Sequence, residues 1–420
     1  MGGAAFAHAA ANGQPTLRTP RMSPEVYEHL KLTYLRRLKD YFPDREVITL
    51  REAPEKTDFG DIDFTIASDR PVDPMHLASA LGAAAFLSYG GLHMLAVPVD
   101  GTKHPRIPVK YTVLKTAEPV DQLSEETYAQ IDIDLVKPDL FAWHSFYSSY
   151  GDLSSILGQI VSNLGFTVTD KGMMLRLREL DDAKDNSVQL QISDKQGMLF
   201  LSNDPDQVME FLGLNLRIYQ AGFSSMNDFY AWLARCRLLT PDYVGNLQYK
   251  RRDTSNQRQK EYKRPAIKSF FEEYLPAHVG TECAEIEDPD MWRANLARRR
   301  EQWRNEAVQF FKKREELEQM RVKLVKSISN QTADFLVKPI VSANYGGNKQ
   351  KVHEIVRAMR RWVGFENGQP QILAESHSDE ESQLHFWLEG DVLRDPAAVN
   401  TWIEENWARC KALERENRKG

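Results

Sequence analysis

The chain has 420 residues, room for two or three domains, and 42% of them are hydrophobic against 27% charged, which excludes a disordered, collagen-like or fibrous protein. The formal charge of −6 at pH 7 excludes a generally basic coat for nucleic acid and leaves room only for a local basic groove. Cys236, Cys283 and Cys410 stand far apart with no CxxC pair, so neither a disulfide framework nor a structural zinc is expected. An intracellular compartment, cytoplasmic or nuclear, fits this pattern, and the sequon Asn330-Gln331-Thr332 is then accidental.

Residues 1–22 are rich in small side chains and carry only Arg18 and Arg21 as formal charges. They read as a disordered tail, with a mitochondrial presequence as the lesser alternative; the apolar core of a signal peptide is missing. Ser23-Pro24-Glu25 opens a helix with a capping hydroxyl, a proline at the first turn and an acid. Its apolar stripe is Tyr27, Leu30, Tyr34, Leu38 and Tyr41, and Pro43 ends it. Glu46 to Leu50 reads as a strand, and a polar loop from Arg51 to Phe59 leads to the alternating run Gly60-Asp61-Ile62-Asp63-Phe64-Thr65-Ile66, a second strand with its acids on one face.

Asp73-Pro74 caps a helix into the stretch Leu77 to Val99, whose only ionisable side chain is His93. Its glycines and Pro98 argue for an Ala-rich buried helix, a Gly-Gly turn and a core strand rather than a membrane span. Strands are expected at Leu92 to Val99, Ile107 to Leu114 and Ala129 to Leu135, the last alternating so that Asp132 and Asp134 face one way and Ile131 and Ile133 the other. Helices are expected at Pro138 to Tyr150 and Asp152 to Leu164, parted at Tyr150-Gly151.

Short strands follow (Met173 to Leu177, Val188 to Ile192, Met198 to Leu201), then helices from Asn203-Asp204-Pro205 to about Gly213 and from Ser225 to Arg237. Lys250 to Lys268 is basic and runs into a helix, Phe270 to Leu275, stopped by Pro276. Asp290 to about Lys326 reads as one long helix with Leu296, Trp303, Phe310, Leu317 and Leu324 seven apart. The tail holds a helix (Gln350 to Trp362), strands near Ile372 and Leu384 to Leu388, and a last helix from Pro396. The expected organisation is a tail (1–22), an α+β domain (23–150), a mainly helical domain (151–276) and an α-rich extension (277–420).

The chemistry centres on Asp61 and Asp63. Two acids on one strand face repel each other, and a divalent cation is the simplest offset. Gly60 before them permits close approach of a phosphate. Asp132 is a candidate third ligand for an oxygen-only site suited to magnesium, with Asp134 as its competitor. His144, Tyr150 and Asp152 are cleft candidates of lower rank. His377, Asp379, Glu380, Glu381 and His385 are ligand types in a polar loop, read as a solvated turn.

The string Lys56-Thr57-Asp58-Phe59-Gly60-Asp61-Ile62-Asp63, with Gln130-Ile131-Asp132 and Tyr150-Gly151-Asp152-Leu153, resembles the nucleotidyltransferase superfamily with a DNA-polymerase-β-like palm, in a poorly characterised branch of fungi and phages. The resemblance covers roughly residues 25–275. It implies an α+β palm with a mixed sheet, a helical substrate-facing region after it, and magnesium-dependent transfer of a nucleoside monophosphate from an NTP to a hydroxyl acceptor by a two-metal mechanism, with Asp61 and Asp63 on both metals. It also implies that Asp61, Asp63 and Asp132 are the metal ligands and catalytic residues. Most members carry a Gly-Ser pair before the first acid; here the segment reads Arg51-Glu52-Ala53-Pro54-Glu55-Lys56, so Arg51 and Lys56, with Gly60, are the candidates for the phosphate contacts.

Lys250, Arg251, Arg252, Lys263 and Arg264, with Tyr249 and Tyr262 interleaved, are the candidate contacts for an RNA acceptor. Two rivals stand beside the enzyme: an inactive nucleotidyltransferase-fold binding protein, which the missing Gly-Ser pair suggests, and an RNA-binding protein acting through residues 250–268.

Overall fold

In this computed structural model the described residues are all but 1, 2, 4, 12, 13, 15, 114–122, 180–193, 246, 248–263, 280–288, 346, 347, 367, 368, 379–395, 419 and 420. They form a mixed α/β structure, as the α+β reading expects, in two compact units. The first comprises Met1–Asn163, Val168–Met173 and Ser202–Asn295; the second comprises Leu164–Thr167, Met174–Leu201 and Leu296–Gly420. The units interleave along the sequence. The expected strands at Val188 to Ile192 and Leu384 to Leu388, and most of the basic segment, lie outside the described residues.

The first unit is organised by a mixed sheet. Its strands are β1 (Thr16–Arg18), β2 (Val47–Thr49), β3 (Asp61–Ala67), β4 (Ala85–Tyr89), β5 (Leu92–Pro98), β6 (Val109–Lys110) and β7 (Leu123–Val136), in the order β2-β3-β7-β5-β4-β6, with β1 also paired to β7. β7 is the hub: β3 lies parallel on one side and β5 antiparallel on the other. The run Ala129 to Leu135 is therefore the C-terminal half of a longer strand than its alternation shows.

One face of this sheet is apolar. Ile62, Phe64 and Ile66 of β3, Ile131 and Ile133 of β7, and Leu95 and Val97 of β5 are buried beneath two helices, α1 (Pro24–Tyr41) and α2 (Pro74–Leu81). The helix starts follow from their caps: Ser23 Oγ accepts from Val26 N, and the Asp73 carboxylate accepts from Met75 N and His76 N. Tyr27, Leu30, Tyr34 and Leu38 are the buried stripe of α1, each such side chain contributing about 1.5–3 kcal/mol by leaving water. Gly82, at φ +75°, ends α2 in the left-handed conformation that a β-carbon disfavours. The apolar stretch Leu77 to Val99 accordingly resolves into the end of α2 and the β4–β5 hairpin turned at Gly90-Gly91, with one strand more than the sequence showed. Among the described residues no helix is long and apolar enough to cross a membrane.

The N-terminal segment corrects an expectation. Read as a disordered tail, it instead packs on the other face of the sheet. Phe6, Ala9 and Leu17 are buried in one cluster with Ala85, Leu87, Ala96, Tyr111 and Tyr128, and β1 pairs in parallel with β7 (Thr16 with Leu123, Arg18 with Thr127). Its two bulky apolar side chains there, Phe6 and Leu17, find a ready-made apolar surface, which a composition dominated by Ala and Gly does not advertise.

After β7 come α3 (Pro138–Ser148) and α4 (Leu153–Ser162), then α5 (Pro205–Leu212), α6 (Leu216–Ala221) and α7 (Met226–Ala234); all but α6, a short helix the sequence did not signal, lie near the expected positions. Pro276 does not stop its segment: the helix runs on to His278 after a π-type stretch, Ser269–Tyr274, in which Leu275 N–H reaches back to Phe270 O. The expected long helix is two, α8 (Pro289–Phe310) and α9 (Arg314–Thr332). Lys312 turns into the left-handed region at φ +56°, and Lys313 N–H closes on Val308 O. Glu315 and Glu316 then open α9 where acids favour a helix start. The rest of the second unit centres on α10 (Lys349–Trp362) and α11 (Pro396–Asn417).

Candidate active site: the acid-bearing face of the sheet

Strand alternation puts Asp61, Asp63 and Thr65 on the face of β3 opposite its apolar residues. Parallel pairing then sets them beside β7 in register: Asp61 with Gln130, Asp63 with Asp132, Thr65 with Asp134. On the far side of β7, Ala96, Met94 and Leu92 of β5 oppose Gln130, Asp132 and Asp134. The three expected acids therefore share one face, with Asp63 directly abreast of Asp132. Asp134 lies one step further along, and its Oδ2 is 3.4 Å from Nε2 of His144 on α3.

All three carboxyls are half-buried, and each has its pKa pushed above the ordinary carboxylate range. Asp63 is pushed up to about 8, first by burial and then by the charges of Asp61, Asp132 and Glu52. Asp132 is pushed up to about 7 by burial and by Asp61 and Asp134, against the pull of a hydrogen bond from Gln130. Asp61 is raised by burial, opposed by the Gly3 N–H. The common cause is a concentration of negative charge in a place poor in water.

Lys56 is the cation that lowers the pKa of both Asp61 and Asp63. Its Nζ lies 2.5 Å from Glu52 Oε2 and 4.8 Å from the centre of the Phe59 ring. Glu52 also accepts from the Tyr27 hydroxyl at 3.0 Å, and Tyr27 stacks on Phe59 at 3.9 Å. Sequence reasoning gave Glu52 no role, although its four-residue spacing from Lys56 was there to read. It likewise passed over Gln130, which is buried and donates through Nε2 to Asp132 Oδ1 at 2.8 Å. Two-residue alternation from Asp132 is the signal that would have found it.

Arg51 points elsewhere. Its guanidinium donates to the Tyr150 hydroxyl (3.0 Å), Tyr219 O (3.1 Å) and Gln220 O (2.7 Å). Tyr150, held at φ +56°, donates its N–H to Arg51 O at 2.6 Å. These bonds tie the loop before the acids to α6, so Arg51 is a strut at the end of that loop. Asp152 is paired with Arg264, 3.2 Å away, and Arg264 also reaches Ser155. Lys250, Arg251, Arg252 and Lys263 lie outside the described residues, as do Asp379, Glu380, Glu381 and His385.

Magnesium favours oxygen ligands and strict octahedral geometry. Asp61, Asp63 and Asp132 fit in donor type and in strand register. They do not fit in arrangement: Asp61 Oδ2 accepts from Gly3 N–H at 2.8 Å and Asp132 Oδ1 from Gln130. Among the described residues no group of three His, Cys, Asp or Glu side chains is set to hold a metal ion.

No family model and no curated protein matches the chain. Among solved structures it is similar to Leishmania infantum polymerase beta in a ternary gap complex, at TM-score 0.30 and 11% identity over 47% of this chain and 68% of that one. A ternary P/T complex of the same polymerase gives TM-score 0.29 and 14% identity over 47% and 74%. So distant a likeness says nothing of chemistry, which rests on the side chains above.

Proposed function

We propose that the protein is a nucleotidyltransferase that moves a nucleoside monophosphate from an NTP to a hydroxyl acceptor, with RNA as the first acceptor to try. The observation that carries this reading is the register of β3 on β7: it gathers Asp61, Asp63 and Asp132 on one face, where their repulsion calls for a cation. Bound magnesium would supply the positive charge that lets all three ionise together and that balances a triphosphate. In the chain's own share of the work, the acceptor oxygen attacks the α-phosphorus and the bond to the leaving pyrophosphate breaks. The acceptor proton passes to Asp132, whose orientation Gln130 fixes. Lys56, beside the acids, is the nearest candidate for a phosphate contact; Gly60, the other, is buried with Gly3 against it.

Incubation with labelled NTPs, magnesium and total RNA is expected to give incorporation that disappears in Asp61→Ala/Asp63→Ala. Equal incorporation, or none, in wild type and double variant across all NTPs and acceptors contradicts the proposal. The rival reading, a binding protein that kept the fold without the chemistry, is favoured by one observation, the commitment of Arg51 to Tyr150, Tyr219 and Gln220. Calorimetry with NTP and magnesium separates the two: binding that ignores loss of both acids supports the rival.

A further inference from the structure

The acids fit a cation in kind but not in arrangement, and residues outside the sheet strands account for part of that. Gly3 lies against the start of β3. Its N–H donates to Asp61 Oδ2 at 2.8 Å, and its carbonyl accepts from the Thr19 hydroxyl at 2.7 Å. It holds φ +84°, so close to Gly60 that a β-carbon there would stand 1.9 Å from Gly60 O. Two residues on, Ala5 N–H donates to Gln130 Oε1 at 3.0 Å, and Gln130 in turn donates to Asp132 Oδ1. Phe6 anchors the arrangement, fully buried and edge-on to Tyr111 at 5.9 Å between ring centres. Backbone thus reaches Asp61 directly and Asp132 through one amide side chain. A neutral N–H satisfies a lone pair but brings no net charge, so it holds such a site more weakly than a divalent cation would.

We propose that Gly3, Ala5 and Phe6 form an intramolecular plug that competes with a divalent cation for Asp61 and Asp132, so that the site is charged only when this segment lifts. The proposal rests on reading the three aspartates as a cation site. It makes the segment a regulatory element: a partner that captures residues 3–6 would switch the protein on, without touching the acids. A plug closed in about nine chains of ten weakens apparent cation affinity about tenfold.

The test is a titration of the full chain with Mn²⁺ alone, free Mn²⁺ being read by electron paramagnetic resonance, in wild type, Gly3→Ala, Ala5→Pro and Asp61→Ala/Asp63→Ala. Gly3→Ala forces the backbone off Gly60. Ala5→Pro removes the donor to Gln130 at a φ of −60° that proline adopts, and so carries the test if the first variant does not fold. Both are expected to bind Mn²⁺ about tenfold more tightly than wild type, with the Asp61→Ala/Asp63→Ala chain silent. In wild type, Mn²⁺ is expected to speed hydrogen exchange at the amides of Gly3 and Ala5. Unchanged affinity in both plug variants, with wild type binding, overturns the plug and leaves the cation site standing. Absence of Mn²⁺ binding in every chain overturns the cation site, and the plug with it.

Discussion

The two faces of the central sheet are made of alternate residues of the same strands, yet they obey different rules. On the face beneath α1 and α2, Ile62, Phe64, Ile131 and Ile133 are fully or almost fully buried and make no electrostatic demand. On the other, Asp61, Asp63 and Asp132 sit half-buried, each disfavoured in its charged form first of all by burial. A patch of acids that costs stability while the reverse of the same strands supplies it is the pattern of a site held by a scaffold. Substitutions at adjacent positions of one strand should therefore have opposite consequences.

The largest contrast is in activity. Asp63→Ala or Asp132→Ala is expected to lower NTP incorporation by about a thousandfold or more, since each removes charge where phosphoryl transfer needs it. Their thermal unfolding should hardly fall; a large loss of stability would place these acids in the scaffold instead. Next, Ile131→Ala, one position from Asp132 and fully buried, is expected to cost about 2–5 kcal/mol in denaturant unfolding. A cost near zero would break the division between the faces.

The pH dependence sharpens it further. A carboxyl raised to about 8 in the folded chain, against an ordinary value near 4, keeps its proton while the unfolded chain loses it. Its contribution is thus full below about pH 4 and is lost as pH rises towards 8. Asp63→Asn should therefore be more stable than wild type at pH 8 by on the order of 2 kcal/mol, and so unfold at a higher temperature, with the gap closing at pH 4. Added magnesium should narrow the same gap at pH 8. A gap that grows on acidification contradicts the assigned direction. The smallest effect is at Thr65, on the acid face but buried, with no partner found for its hydroxyl among the described residues. Thr65→Val is expected to be neutral or stabilising by up to about 1 kcal/mol in the same unfolding assay.

Much of this was legible in the sequence where the signal is local. Ser23-Pro24-Glu25 marked the start of α1, and alternation in Asp61 to Ile66 and Ala129 to Leu135 set which residues share a face. What alternation does not carry is which strand lies beside which. The pairing of Asp63 with Asp132, and of Asp134 with Thr65, is a non-local fact that separates two acids the sequence left level. The N-terminal segment was missed for a related reason: Phe6 and Leu17 have no periodic neighbours, and their burial depends on the far sides of β4, β5 and β7. The join between α8 and α9 was missed because a sevenfold apolar repeat runs straight across it, while the break lies in the backbone of Lys312.

The central claim is that the carboxylates of Asp61, Asp63 and Asp132 close on one cation. It is tested most directly by crystals of the full chain grown with Mn²⁺ and a non-hydrolysable NTP, measured at the manganese edge. The account predicts an anomalous peak at bonding distance, roughly 2.0–2.2 Å, from oxygens of all three residues, with the triphosphate against it. Bound nucleotide with manganese elsewhere, or with Asp132 turned away from the metal, would contradict it.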